Sequence, residues 1–229
     1  VLFITPDSLL IRLSNIETWG LLFYRGFIPF ILVLFGLILF YKTNFFKALI
    51  NIGYTGIFYA ISFSVCNVTF IISIQNTSVA NTLIMVAMAP MLSAFLGAFF
   101  LKETPNKETW FAIIITFLSV TFIFYDSVKL GNIVGDIFGF ITALGLAINA
   151  NLARFAKDRD LVPAAVIGKL GTAAFAFVFV KSFNLINTDI IIVPLMCVLC
   201  VAIPFVLVTI APRYITCLLY TSDAADEFS

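Results

Sequence analysis

The sequence predicts an all-α, polytopic membrane helix bundle, and three observations carry that prediction. Of 229 residues, 62% are hydrophobic and 11% charged, with 27 Phe among them; the mean hydropathy is +1.13. A soluble domain of this length needs far more polar surface. The apolar residues come in runs of about 20, the length that crosses a bilayer core at roughly 1.5 Å per residue. These runs are apolar all round, without the alternation over about ten residues that marks a membrane barrel, so helices are expected.

The opening stretch, "VLFITPDSLLIRL", reads as the last turns of a helix that Pro6 and Asp7 end or break. Six full spans follow at Thr18 to Tyr41, Asn51 to Ile74, Val79 to Leu101, Glu108 to Tyr125, Ile133 to Phe155 and Leu161 to Lys181. A seventh, Ile190 to Ile210, carries Pro194 and Pro204. The connections are short, which makes neighbouring helices antiparallel and leaves no room for a soluble catalytic domain. Lys42, Lys47, Lys102, Lys107, Arg154, Lys157, Arg159 and Arg213 fall in one set of alternate loops, against Arg12, Lys129 and Lys181 in the other. The basic set is expected on the cytoplasmic side, placing the connection after Ile74 outside. The first residue is Val and no signal-peptide pattern follows it, so the N-terminus is expected to be incomplete.

Helices in lipid associate where small residues let backbones approach. Gly135, Gly139, Ala143 and Ala147 recur every four residues, and Ala89, Ser93 and Gly97 form a second stripe; both are read mainly as packing faces. Pro90 removes a backbone hydrogen bond in mid-span, which either frees a carbonyl at a site or merely kinks the bundle. Arg25 sits about two turns into its helix from the outer side, where it either binds an anionic group or snorkels to headgroups. Lys169, about two turns inside the cytoplasmic end, is read as snorkelling.

Neutral polar residues make the denser set: Ser62, Ser64, Asn67, Asn81, Asn149 and Asn151. Ser64 and Asn67, three apart, share a helix face. Singly, each bridges helices by a hydrogen bond of about 0.6 kcal/mol; together they line a wet path for a small polar solute. The candidate pathway residues are therefore Arg25, Ser64, Asn67, Asn81, Pro90 and Asn149.

Chemistry has little support. The chain contains no His, which removes the commonest general base and metal ligand. No span holds two carboxylates, and no phosphate loop or nucleophile motif occurs. Cys66, Cys197 and Cys200 read as buried inert thiols despite the "CVLC" spacing. No catalytic residue, cofactor or metal is expected, and the scattered charges give no footing for nucleic acid.

The segment "IQNTSVANTLIMVAMAPMLSAFLGAFFLKETPNKETWFAIIITFLSVTFI" resembles the EamA-like branch of the drug/metabolite transporter (DMT) superfamily. The resemblance rests on Thr77, Ser78, Ala80, Asn81, Ala89, Pro90, Phe100, Leu101, Glu103 and Trp110. "GNIVGDIFGFITALGLAINANLARFAKD" resembles the start of the family's second half. It implies ten helices in two inverted five-helix repeats, of which this chain holds about 7–8: residues 1–126 as the first repeat and 127–216 as an incomplete second. It also implies a multi-pass protein of the cell membrane, the inner membrane in a Gram-negative bacterium, that moves small metabolites by alternating access, with export as the expected direction. The implied partners are a small-molecule solute and the lipid bilayer. The alternatives are a membrane-embedded enzyme on lipid-linked substrates, against which the absence of His argues, and an accessory subunit.

The tail "CLLYTSDAADE", Cys217 to Glu227, resembles the translation of a transposase-based sequencing adapter, so residues 217–229 are expected to be an artefact. Setting aside Asp223, Asp226 and Glu227, three of the twelve acids, leaves thirteen basic against nine acidic residues, or +4. A chain lacking parts of both repeats is expected not to transport.

Overall fold

The computed structural model describes residues 7–14, 16–42, 45–100, 107–130, 133–156, 159–181, 183 and 189–210. The expected artefact from Cys217, the breaking role given to Pro6, and Leu101 and Glu103 of the family-like segment lie outside them.

Among the described residues the regular elements are helical: α1 Asp7–Leu13, α2 Thr18–Tyr41, α3 Phe45–Ile50, α4 Gly53–Asn76, α5 Val79–Ala87, α6 Ala89–Phe100, α7 Lys107–Leu130, α8 Ile133–Phe155, α9 Val162–Phe179, α10 Asp189–Met196 and α11 Ile203–Ile210. Among the described residues, six spans are long and apolar enough to cross a bilayer: Thr18–Tyr41, Gly53–Asn76, Val79–Phe100, Ile133–Phe155, Val162–Phe179 and Asp189–Leu207. They correspond to six of the seven expected spans. The remaining one falls in α7, whose 24 residues extend about 36 Å at the helical rise around an apolar centre at Ile113–Phe122.

Three local departures have physical causes. The span from Val79 is two helices meeting at Met88, where the backbone N–H of Met88 turns to the Met85 carbonyl at 3.1 Å and Leu92 restarts the ladder on the Met88 carbonyl. Pro90, on the first turn of α6, has no N–H to continue α5 and a helix-ready φ to begin the next helix. The stretch between α2 and α4, expected as loop, contains α3; Gly53, at φ 60, takes the left-handed conformation that lets the chain turn into α4. Between Pro194 and Pro204 the seventh span widens into a π-helical turn, Cys197–Ala202, closed by the N–H of Ile203 on the Val198 carbonyl. Pro204 cannot donate to the carbonyl one α-turn back, and the wider turn precedes it.

The helices pack as two compact units. The first holds α1, α2, α3, α4 as far as Val68, and α9 to α11. In it α2 lies against α9 at backbone distance: a Cβ on Gly26 would stand 2.7 Å from the Ala173 nitrogen and 2.9 Å from the Lys169 carbonyl oxygen. Trp19 stacks on Phe179 at 4.8 Å between ring centroids.

The second unit holds the remainder of α4 with α5 to α8. The expected small-residue stripe of α8 is its buried face: Gly135, Gly139, Ala143 and Ala147 are all buried. A Cβ on Gly135 would come within 2.6 Å of the Thr77 nitrogen, and Ala143 joins Met85, Met88 and Val120 in the core. Ser93 and Gly97 of the second stripe are buried on α6, which packs on α8. Large apolar side chains such as Phe99, Phe111, Phe122 and Phe177 point outward, as a bilayer-facing surface requires.

Candidate functional site

In the first unit α9 presents a four-residue series of small or hydroxyl side chains, Ala164, Gly168, Thr172 and Ala176, all buried. A Cβ on Gly168 would lie 2.7 Å from the Ala60 carbonyl oxygen of α4, so α9 sits close to α4 as well as α2. Beside that series run Ala165, Lys169 and Ala173, equally buried. Lys169 therefore starts from a crowded interior face, and its side chain is 2% exposed. The snorkelling expected of it does not occur.

The Lys169 ammonium donates to Asn67 Oδ1 at 2.6 Å. It stands 5.2 Å from the Phe63 ring centroid and 5.7 Å from that of Phe205, within cation–π range. Asn67 Nδ2 donates to the Phe63 carbonyl at 2.7 Å, which turns the amide oxygen toward Lys169. Thr172, three residues on from Lys169, donates to Ser64 at 3.3 Å. Ser64 and Asn67 thus share a face of α4, and that face meets the polar residues of α9. The pairs run in opposite order along the two helices, 64 with 172 and 67 with 169, as antiparallel neighbours dictate.

Arg25 is 6% exposed and neither open to solute nor directed at headgroups. Its Nη1 donates to Asp7 Oδ1 at 2.5 Å and its Nη2 to Asp7 Oδ2 at 2.9 Å. The fork geometry uses both carboxylate oxygens. Asp7, expected as a helix breaker, is instead the first residue of α1 and the buried counter-ion of α2.

Deeper packing in this unit is aromatic. Tyr59 stacks on Phe63, 6.0 Å between centroids, and its hydroxyl lies 3.3 Å from that of Thr209. Cys66, Cys197 and Cys200 are buried thiols outside any disulfide. Where α2 ends and α4 and α9 begin, a cavity of about 510 Å³ is lined by Tyr41, Asn51, Gly53, Arg159 and Asp160 among others. The Tyr41 hydroxyl donates to Asp160 Oδ2, and Asp160 Oδ1 accepts the N–H of Val162, the first residue of α9, at 3.1 Å, satisfying one of the donors a helix start leaves open.

The second unit holds Asn81, Pro90 and Asn149. Asn81 Nδ2 lies 3.5 Å from Asp136 Oδ1 and 3.4 Å from Thr77 Oγ1, while its backbone N–H is capped by Ser78 at 3.1 Å. Asn149 lies on the buried face of α8; Pro90 is exposed on α6. Asn151 ties α8 to α6, its amide donating to Ser93 Oγ and to the Ser93 carbonyl, both at 3.0 Å. Thr69 with Thr142 at 2.7 Å and Ser73 with Thr82 at 2.9 Å are further bridges. The polar residues described here act chiefly as helix-to-helix ties.

The chemistry this arrangement offers is recognition: an ammonium, an amide and two hydroxyls in an apolar, aromatic surround. Among the described residues no group of three His, Cys, Asp or Glu gathers to hold a metal ion.

The model of the EamA-like transporter family matches residues 8–125, just over half of the chain. The chain belongs to the EamA-like transporter family. This transporter is accordingly a multi-pass protein of the cell membrane, of the drug/metabolite transporter superfamily. The matched stretch includes Arg25, Ser64, Asn67, Asn81 and Pro90, and ends before Asn149 and Lys169. No curated protein and no solved structure matches this EamA-like chain.

Proposed function

We propose that this EamA-like transporter is a permease for small polar metabolites, exporting them by alternating access, and that the α4–α9 polar face forms part of the solute path. The observation that carries the reading is Lys169: a side chain 2% exposed, about two turns into an 18-residue helix that runs Val162–Phe179, bonded to the amide of Asn67. Ionisable residues at such depth are costly and mark solute pathways when they face a bundle interior. Ser64 and Thr172 extend the polar line by about one turn. Asn81 and Asn149 are proposed to contribute polar groups within the second unit, and Pro90 to supply the break in a span that such folds use near their binding sites. Arg25, with Asp7, is proposed to hold α1 on α2 beside the path.

The proposed plan is that of two inverted repeats, 1–126 and 127–216, rocking about the site.

Flux in proteoliposomes tests the proposal. A panel of neutral, cationic and anionic metabolites is loaded inside vesicles containing a version of the protein completed to two whole repeats, with helicity verified by circular dichroism; the 229-residue chain alone is expected to give no release. Saturable release of at least one solute above empty vesicles is expected; no release across the panel from the folded, completed protein would refute it.

A further inference from the structure

We infer that Lys169 is the seat for the carboxylate of an anionic solute with an apolar body. The inference rests on the permease reading and narrows it to a substrate class. An ammonium carries three donors. Among the described residues one of them is used, on Asn67 Oδ1 at 2.6 Å, and no carboxylate contacts the group. Both oxygens of Asp7 bond Arg25, at 2.5 and 2.9 Å, so the charge of that acid is committed to the guanidinium. A cation buried among apolar atoms needs a counter-charge; the direct contacts of Lys169 are a dipole and two ring faces, with the Arg25–Asp7 pair and the Cys66 and Cys197 thiols further off but within electrostatic reach.

The surround selects the rest of the ligand. Phe63, Phe205 and, stacked behind Phe63, Tyr59 make an apolar wall. That wall matches an apolar body, and the neighbouring cation, Arg25, is already paired with Asp7, which leaves no second uncommitted charge for a dianion such as phosphate. The Thr172–Ser64 hydroxyl pair lies about one helical turn along and matches a second, neutral polar group. A carboxylate entering the seat would take the two free donors of Lys169 while Asn67 keeps the third.

The test uses thermal unfolding of the chain in nanodiscs of neutral lipid, since a ligand that binds the folded state alone raises the midpoint. The probes are benzoate, its uncharged isostere benzamide, and inorganic phosphate, each titrated at constant ionic strength. Benzoate is expected to raise the midpoint by several degrees and to saturate, with benzamide and phosphate giving no such rise. In Lys169→Met the benzoate shift is expected to vanish. Equal shifts with benzoate and benzamide, a benzoate shift that survives Lys169→Met, or a Lys169-dependent shift with phosphate alone would each overturn the inference. The benzoate–benzamide comparison needs no variant, so it holds even if Lys169→Met does not fold. Flux separates the two claims: release of neutral solutes unaffected by Lys169→Met would leave the permease standing and remove the carboxylate seat. A benzoate shift without flux of any solute would do the reverse.

Discussion

Replacing Asp7 by Asn removes the counter-charge of Arg25 while keeping the shape of the site. The guanidinium is 6% exposed and both its carboxylate contacts are short, 2.5 and 2.9 Å, so water does not take the place of the lost charge. Breaking a buried pair by removing one partner costs about 3–5 kcal/mol. Polar ties in membranes fall toward the low end, because the unfolded helices also find partners in lipid. About 3 kcal/mol is therefore expected for Asp7→Asn, roughly a hundredfold in the unfolding equilibrium, and a similar loss for Arg25→Gln. The double variant removes both charges and should cost at least about 2 kcal/mol less than the sum of the singles. Reversible unfolding in mixed detergent–SDS micelles measures all three. Additivity within about 0.5 kcal/mol would refute the pairing.

Three further outcomes follow from the packing and the polar ties. Gly26→Val drives a branched side chain into the backbone of α9, where a Cβ already meets the Ala173 nitrogen at 2.7 Å; unfolding in the same micelles should show a loss of about 1–3 kcal/mol. Asn151→Leu gives up the amide bonds to Ser93 and should cost about 0.6 kcal/mol, with about 1.7 as the ceiling for such ties in a membrane. Asn67→Leu removes the only neutral acceptor bonded to Lys169 among the described residues; in the version completed to two whole repeats, solute release from proteoliposomes should fall about tenfold, equivalent to roughly 1.4 kcal/mol, with helicity unchanged.

The spans were legible because length and continuous apolarity are local properties that lipid alone selects. The α8 stripe was legible for a related reason: Gly135, Gly139, Ala143 and Ala147 repeat at a spacing that stacks on one helix face. The same rule placed Ser64 and Asn67 together. What the sequence hid was partnership across helices. Asp7 beside Pro6 looks like a helix breaker, and nothing local says that Arg25, eighteen residues on, closes a fork around it. Lys169 looks free to snorkel when judged by its distance from a helix end. Its neighbours Ala165 and Ala173, four residues to either side, were the available signal, since a lysine inside a small-residue series points to the packed face. The break at Met88 was half visible: Pro90 announced a missing hydrogen bond, while the restart on the Met88 carbonyl depends on how α6 packs against α8.

Whether the α4–α9 polar face carries water and solute is tested most directly by cysteine accessibility at one depth of α4. In a cysteine-free background, Ser64→Cys faces Thr172 and Val65→Cys faces outward, Val65 being 47% exposed. A charged, membrane-impermeant methanethiosulfonate reagent should label Ser64→Cys in intact vesicles and leave Val65→Cys unmodified. Labelling of neither, or of Val65→Cys alone, would contradict a path along this face.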